Sequence, residues 1–128
     1  MAEKKNTSYP KEKINILFLE NISDAAIAQF KNSGYVNVKK LTGALSQSEL
    51  IKEIKSVHIL GIRSKTTITE EVLKAAPKLQ AIGCFCIGVN QVDIEAATKY
   101  GVAVFNAPYS NTRSVAELVI GAAIVLVR

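Results

Sequence analysis

Three short stretches carry residue types suited to chemistry. Gly61-Ile62-Arg63-Ser64-Lys65-Thr66 sets an arginine, a hydroxyl and a lysine directly behind an apolar run. A guanidinium there can grip a carboxylate or phosphate with two parallel hydrogen bonds, and Lys65 adds a point charge. Spacing alone leaves a solvated loop arginine equally open. Cys84-Phe85-Cys86-Ile87-Gly88-Val89 ends another apolar run in a glycine turn, whose amides around Gly88 suit an anion or simply reverse the chain. Asn111-Thr112-Arg113-Ser114 opens a helix, where free amides favour a polar ligand, with plain capping by Thr112 or Ser114 as the alternative.

Other chemistries lack their parts. Cys84 and Cys86 are the only cysteines and stand without the further ligands that zinc needs, so no metal is expected. His58, the one histidine, lies inside an apolar segment and reads as a packed side chain. No G-x-G-x-x-G or G-x-x-x-x-G-K-[ST] follows a strand, and no acidic cluster follows the first one.

Positioning these turns falls to a chain of 128 residues, 48% hydrophobic and 21% charged, the balance of one soluble domain. The formal charge of +5 is dispersed, with no basic run and no interleaved aromatics, so no nucleic-acid partner is expected. Two thiols without a disulfide framework, and a polar start unlike a signal peptide, predict a cytoplasmic protein. The apolar stretch 115–127 is too short to span a bilayer, and no membrane partner is expected.

Residues 1–13 read as a mobile tail. Apolar runs predict strands at 14–20, 57–62, 79–83 and 102–105, and the polar alternation of 35–40 predicts a strand near a sheet edge. Between them, Ser23 or Asp24, the capping box Ser46-Gln47-Ser48-Glu49, Thr67 or Thr69, and Asp93 open four helices. A fifth is expected from about Val115. Such β-α alternation predicts an α/β fold: a flavodoxin-like, five-stranded parallel sheet of order 2-1-3-4-5, with ligands at the carboxyl ends of strands one, three and four. The last helix is apolar on all sides except Glu117. It must be covered by something outside this domain, which favours a piece of a larger protein over an oligomeric face.

The three stretches, extended to 61–66, 81–93 and 105–118, closely resemble the D-3-phosphoglycerate dehydrogenases of bacteria and fungi. These are a branch of the NAD-dependent D-2-hydroxyacid dehydrogenases, and the likeness runs from about residue 13 to 128. Gly83-Cys84-Phe85-Cys86-Ile87-Gly88 is the most specific part. The resemblance implies an oxidoreductase of L-serine biosynthesis that converts 3-phosphoglycerate to 3-phosphohydroxypyruvate with NAD and also reduces 2-oxoglutarate. It implies a homotetramer with a flavodoxin-like substrate domain, here 14–112, and a helix from 113 crossing to a Rossmann domain beyond residue 128. By the same resemblance Arg63, Ser64, Lys65, Ile87, Gly88 and Asn111 touch the small anionic substrate. Ile87, Gly88 and Thr112 touch the edge of NAD. The catalytic groups lie outside this segment, which is expected to be inactive alone. Where some relatives have a lysine this chain has Thr42, and Lys39 or Lys40 is the residue expected to stand in. Another D-2-hydroxyacid dehydrogenase, or a non-catalytic anion-binding module, is the competing reading.

Overall fold

Alternating apolar side chains in four-residue strands let one sheet bury both of its faces. The computed structural model describes residues 9–127. Its strands are β1 (Asn15–Phe18), β2 (Asn37–Lys40), β3 (Ile59–Ile62), β4 (Ala81–Cys84) and β5 (Ala103–Asn106). All neighbours pair in parallel in the order β2-β1-β3-β4-β5. Each strand begins 22 residues after the one before. The sheet is therefore built from βα units of equal length, as the alternation predicts.

Five helices complete the units: α1 (Asp24–Asn32), α2 (Gln47–Glu53), α3 (Glu70–Lys74), α4 (Ile94–Lys99) and α5 (Thr112–Val127). On one face Leu17, Leu60, Ile62, Ile82 and Cys84 meet Leu50 of α2, Val72 and Leu73 of α3, and Ala96 and Ala97 of α4. On the other, Ile16, Phe18 and Ile22 pack against Ala26, Ile27 and Phe30 of α1. Phe18 stands edge-on to both Phe30 and Phe85, with ring centroids 5.4 and 5.7 Å apart.

The caps form where the sequence places them. Ser23 accepts from Ala25 N–H, Ser46 and Glu49 close a full capping box, and Asp93 accepts from Ala96 N–H at 2.9 Å. Of the two candidates for α3, Thr69 is the cap.

Three differences from the sequence reading have local causes. Residues 9–13 of the expected tail are structured: Lys11–Lys13 form a 3-10 turn, Lys11 Nζ donates to Ser33 O at 2.9 Å, and Tyr9 leans on His58. The rest of that expectation, residues 1–8, lies outside the described residues. The first strand ends at Phe18, because Glu20 and Asn21 turn into left-handed backbone at φ 59° and 52°. The last helix begins at Thr112 rather than near Val115, with Asn111 O accepting from Val115 N–H at 3.0 Å. Thr112 is thus the first residue of the helix, and Asn111 precedes it.

α5 is exposed along its whole length, with Leu118 at 72% and Leu126 at 85% of full exposure. At about 1.5 Å per residue its 16 residues make a helix some 24 Å long. No described helix is long and apolar enough to cross a membrane.

Candidate functional site

At the carboxyl edge the chain turns left from β1 to β2 and right from β3 to β4, which opens a crevice between β1 and β3. A hollow of about 440 Å³ lies there, lined by Glu20, Asn21, Thr42, Gly43, Ala44, Arg63, Ser64 and Lys65. Arg63, Ser64 and Lys65 are all exposed in it, and neither cation makes an ion pair among the described residues. A second depression of similar size, bounded by Asn15, Val36, Asn37, Ser56 and Val57, sits beside β2. Its one cation, Lys39, is already paired with Glu53, so it has little to offer an anion.

The Arg63–Thr66 turn is held from beneath. Lys65 N–H donates to Glu20 Oε2 at 3.0 Å, and Thr66 N–H donates to Glu20 Oε1 at 2.8 Å. Burial pushes the Glu20 carboxyl up. The Thr66 hydroxyl and the amides of Lys65, Thr66 and Arg63 outweigh it, leaving the group below the usual carboxylate range. The amides do the holding, since the buried Thr66 Oγ1 meets no partner in hydrogen-bonding geometry. The Lys65 and Thr66 amides are thereby used up and cannot also donate to an anion in the hollow.

The glycine turn is tied to the same place by Gln91. Its Nε2 donates to Arg63 O at 2.9 Å, to Cys86 Sγ at 3.2 Å and to Gly88 O at 3.4 Å. Asn106 Nδ2 donates to Ile87 O at 2.7 Å, and Ala107 N–H to Cys86 O at 3.0 Å. Ile87 is 43% exposed on the glycine turn and, like Gly88, lies outside the lining of the hollow. Asn111 and Thr112 follow on the β5 side, exposed at the start of α5 and outside the lining of the hollow.

Glu20, Gln91 and Asn106 were not singled out from the sequence. The place of Glu20 directly behind the apolar run 16–19 is the one sign of it that the sequence carries. Neither Lys39 nor Lys40 stands in at the Thr42 wall: they pair with Glu53 and Asp24, each at 2.6 Å, and neither lines the hollow. Thr42→Lys should therefore add a cation where there is none. A charge facing an anion across a partly wet gap is worth about 1 kcal/mol, and the KM for an anionic substrate of the full-length protein should fall about fivefold. An unchanged or higher KM in initial-rate assays would show that the Thr42 wall does not face the ligand.

The remaining titratable groups are structural. Cys84 is pushed up to about 11 by burial, with Cys86 and Glu20 adding to it, so its thiol is neutral at pH 7. Burial, then the charge of Lys78, hold His58 below the usual range, and its Nδ1 accepts from Asn15 N–H at 3.0 Å. It sits before β3, a strand length of about 13 Å from the hollow. Among the described residues no three His, Cys, Asp or Glu side chains are grouped to hold a metal.

The catalytic-domain model of the D-isomer specific 2-hydroxyacid dehydrogenases matches residues 16–121. The chain belongs to this family. It is 54% identical to D-3-phosphoglycerate dehydrogenase of Dictyostelium discoideum over 95% of its own length and 51% identical to that of Escherichia coli K12 over 94%. It spans about 30% of the length of either relative. Among solved structures, the NAD-bound 3-phosphoglycerate dehydrogenase of Entamoeba histolytica superposes with a TM-score of 0.71 at 26% identity, covering 84% of this chain and 37% of that one. The 2-1-3-4-5 sheet of this 2-hydroxyacid dehydrogenase chain thus has a counterpart in a dehydrogenase of known structure.

Proposed function

We propose that the chain is the substrate-binding part of an NAD-dependent dehydrogenase that oxidises 3-phosphoglycerate to 3-phosphohydroxypyruvate, the opening step of L-serine biosynthesis. The observation that carries this reading is the pair of cations, Arg63 and Lys65, exposed at the switch-point hollow with no ion pair among the described residues. The names of the relatives support the substrate class.

3-Phosphoglycerate has an anion at each end. The Arg63 fork suits bidentate capture of one, Lys65 supplies a point charge, and the Ser64 hydroxyl can donate beside them. Ile87 and Gly88 form an apolar border that orients the reacting carbon and keeps water from it. For NAD these residues fit an edge only: Ile87 and the bare Gly88 offer a flat contact, Asn111 and Thr112 a polar helix start, and the sequence has no glycine-rich phosphate loop. When bound, NAD supplies the hydride acceptor. No described side chain at the hollow is placed to take the hydroxyl proton, because Glu20 is occupied by amides and His58 is at the other end of β3. In this reading the proton-transferring group belongs to the rest of the enzyme, a cytoplasmic homotetramer, and α5 offers it an apolar packing surface.

Two assays test the reading. The full-length protein should form NADH with 3-phosphoglycerate at a kcat/KM at least tenfold above that with D-lactate, and it should reduce 2-oxoglutarate. A preference for D-lactate would instead favour another D-2-hydroxyacid dehydrogenase, a reading that the uncharged Thr42 wall keeps in play. Residues 1–128 alone should give no NADH, and measurable turnover would contradict the assignment of proton transfer to another part of the enzyme.

A further inference from the structure

The turn that carries the exposed cations is held by two side chains, Glu20 at the wall of the hollow and Gln91 outside its lining. Glu20 takes the amides at the far end of the turn, Lys65 N–H and Thr66 N–H. Gln91 takes the carbonyl at its near end, Arg63 O. Both clamp residues are buried, at 7% exposure each, and they belong to different segments, one following β1 and the other preceding α4. The turn they grip has no other side-chain bond among the described residues. Its exposed members are free to move unless both ends are fixed. Glu20 also adopts its pose at a cost, since a non-glycine residue at φ 59° is disfavoured. A buried carboxylate in strained backbone, spent entirely on amides of a cationic turn, is costly unless the turn's geometry matters.

We infer that Glu20 and Gln91 are positioning residues for anion recognition, acting through the Arg63–Thr66 turn and not by touching the substrate. A second role follows for Glu20. By consuming the Lys65 and Thr66 amides, it keeps the turn from becoming a backbone nest for any small anion. Recognition then depends on the side-chain fork, which selects planar or tetrahedral oxyanions over simple halides. Gln91 extends the constraint to the facing wall, because the same amide nitrogen contacts Gly88 O and thereby fixes the spacing between the cations and the Ile87-Gly88 border.

This inference rests on the reading of Arg63 as a substrate contact, and the experiment separates the two. Initial rates of the full-length protein are measured with 3-phosphoglycerate and NAD for wild type, Glu20→Gln, Arg63→Ala and the double variant. Glu20→Gln keeps the size of the side chain but turns an N–H donor toward amide donors. It should raise the KM for 3-phosphoglycerate about tenfold, with kcat and the KM for NAD within about twofold. On the Arg63→Ala background the same change should raise KM by no more than about threefold, because only the route through Lys65 is left. Gln91→Met, which keeps volume and removes the donor, should reproduce the split from the other end and serves if Glu20→Gln fails to fold. If Arg63→Ala leaves the KM unchanged, the substrate-site reading falls. If Arg63→Ala raises it while Glu20→Gln and Gln91→Met do not, or if the effects multiply in the double variant, the positioning role is overturned.

Discussion

Arg63→Ala in the full-length protein should raise the KM for 3-phosphoglycerate about a hundredfold and leave the KM for NAD within about twofold. Each hydrogen bond from a charged group is worth roughly 1.5–3 kcal/mol, and a guanidinium fork makes two to one oxyanion. Losing about 3 kcal/mol corresponds to about two decades of affinity. No neighbour can replace it: Lys65 is a point charge without the fork, and Lys39 and Lys40 are engaged with Glu53 and Asp24. Arg63→Lys keeps the charge and loses the planarity, so it should fall between, at about tenfold. Arg63 is exposed and makes no ion pair among the described residues, so neither change should move the melting temperature by more than about a degree. An equal rise in both Michaelis constants would place Arg63 outside the substrate site.

Gly61→Ala should destabilise the folded protein by about 3 kcal/mol. A Cβ at this position would stand 2.2 Å from Phe18 Cδ1 and 2.6 Å from Cε1, far inside contact distance. The Phe18 ring cannot step aside, because it is 1% exposed and wedged between Phe30 and Phe85. β1 and β3 would have to separate, carrying Arg63 with them two residues on. Gly43→Ala is the matched control: an added Cβ there meets nothing within 4 Å, and the change should cost less than about 0.5 kcal/mol. Urea unfolding monitored by circular dichroism reads both. A midpoint for Gly61→Ala equal to that of Gly43→Ala would show that the ring relaxes freely.

The elements were legible in the sequence where local chemistry fixes them. Ser46 with Glu49, and Asp93, announce helix starts because their oxygens satisfy amides within three residues. The polar alternation of Tyr35-Val36-Asn37-Val38-Lys39-Lys40 marks a strand with one neighbour, and β2 is an edge. Arg63 and Lys65 were legible because a cation behind an apolar strand has nowhere to go but the carboxyl edge. Glu20 was not legible, because its partners are amides 45 and 46 residues away and its left-handed backbone has no glycine to announce it. Gln91 reads as an ordinary polar turn residue until the β3 and β4 loops are brought together. Residues 9–13 were misjudged for the same reason: Lys11 finds Ser33 and Tyr35, and Tyr9 finds His58, only once α1 and β3 are in place.

The equal spacing of the strands has a consequence for the order in which the molecule assembles. β1–β2, β3–β4 and β4–β5 each close one βα unit, whereas β1–β3 must span two, because β2 lies on the far side of β1. Doubling the loop adds about 0.6 kcal/mol of closure entropy, so two sub-assemblies should form first and then zip together along β1–β3. The seam of that zip is where Leu19 N–H meets Gly61 O at 2.9 Å and Glu20 takes the amides of Lys65 and Thr66. In pulse-labelled refolding of the full-length protein these three amides should gain protection after the β3–β4 ladder; earlier or simultaneous protection would contradict the scheme. In this scheme the hollow between β1 and β3 is the last part of the sheet to form, so a chain that presents Arg63 and Lys65 there has already completed its fold.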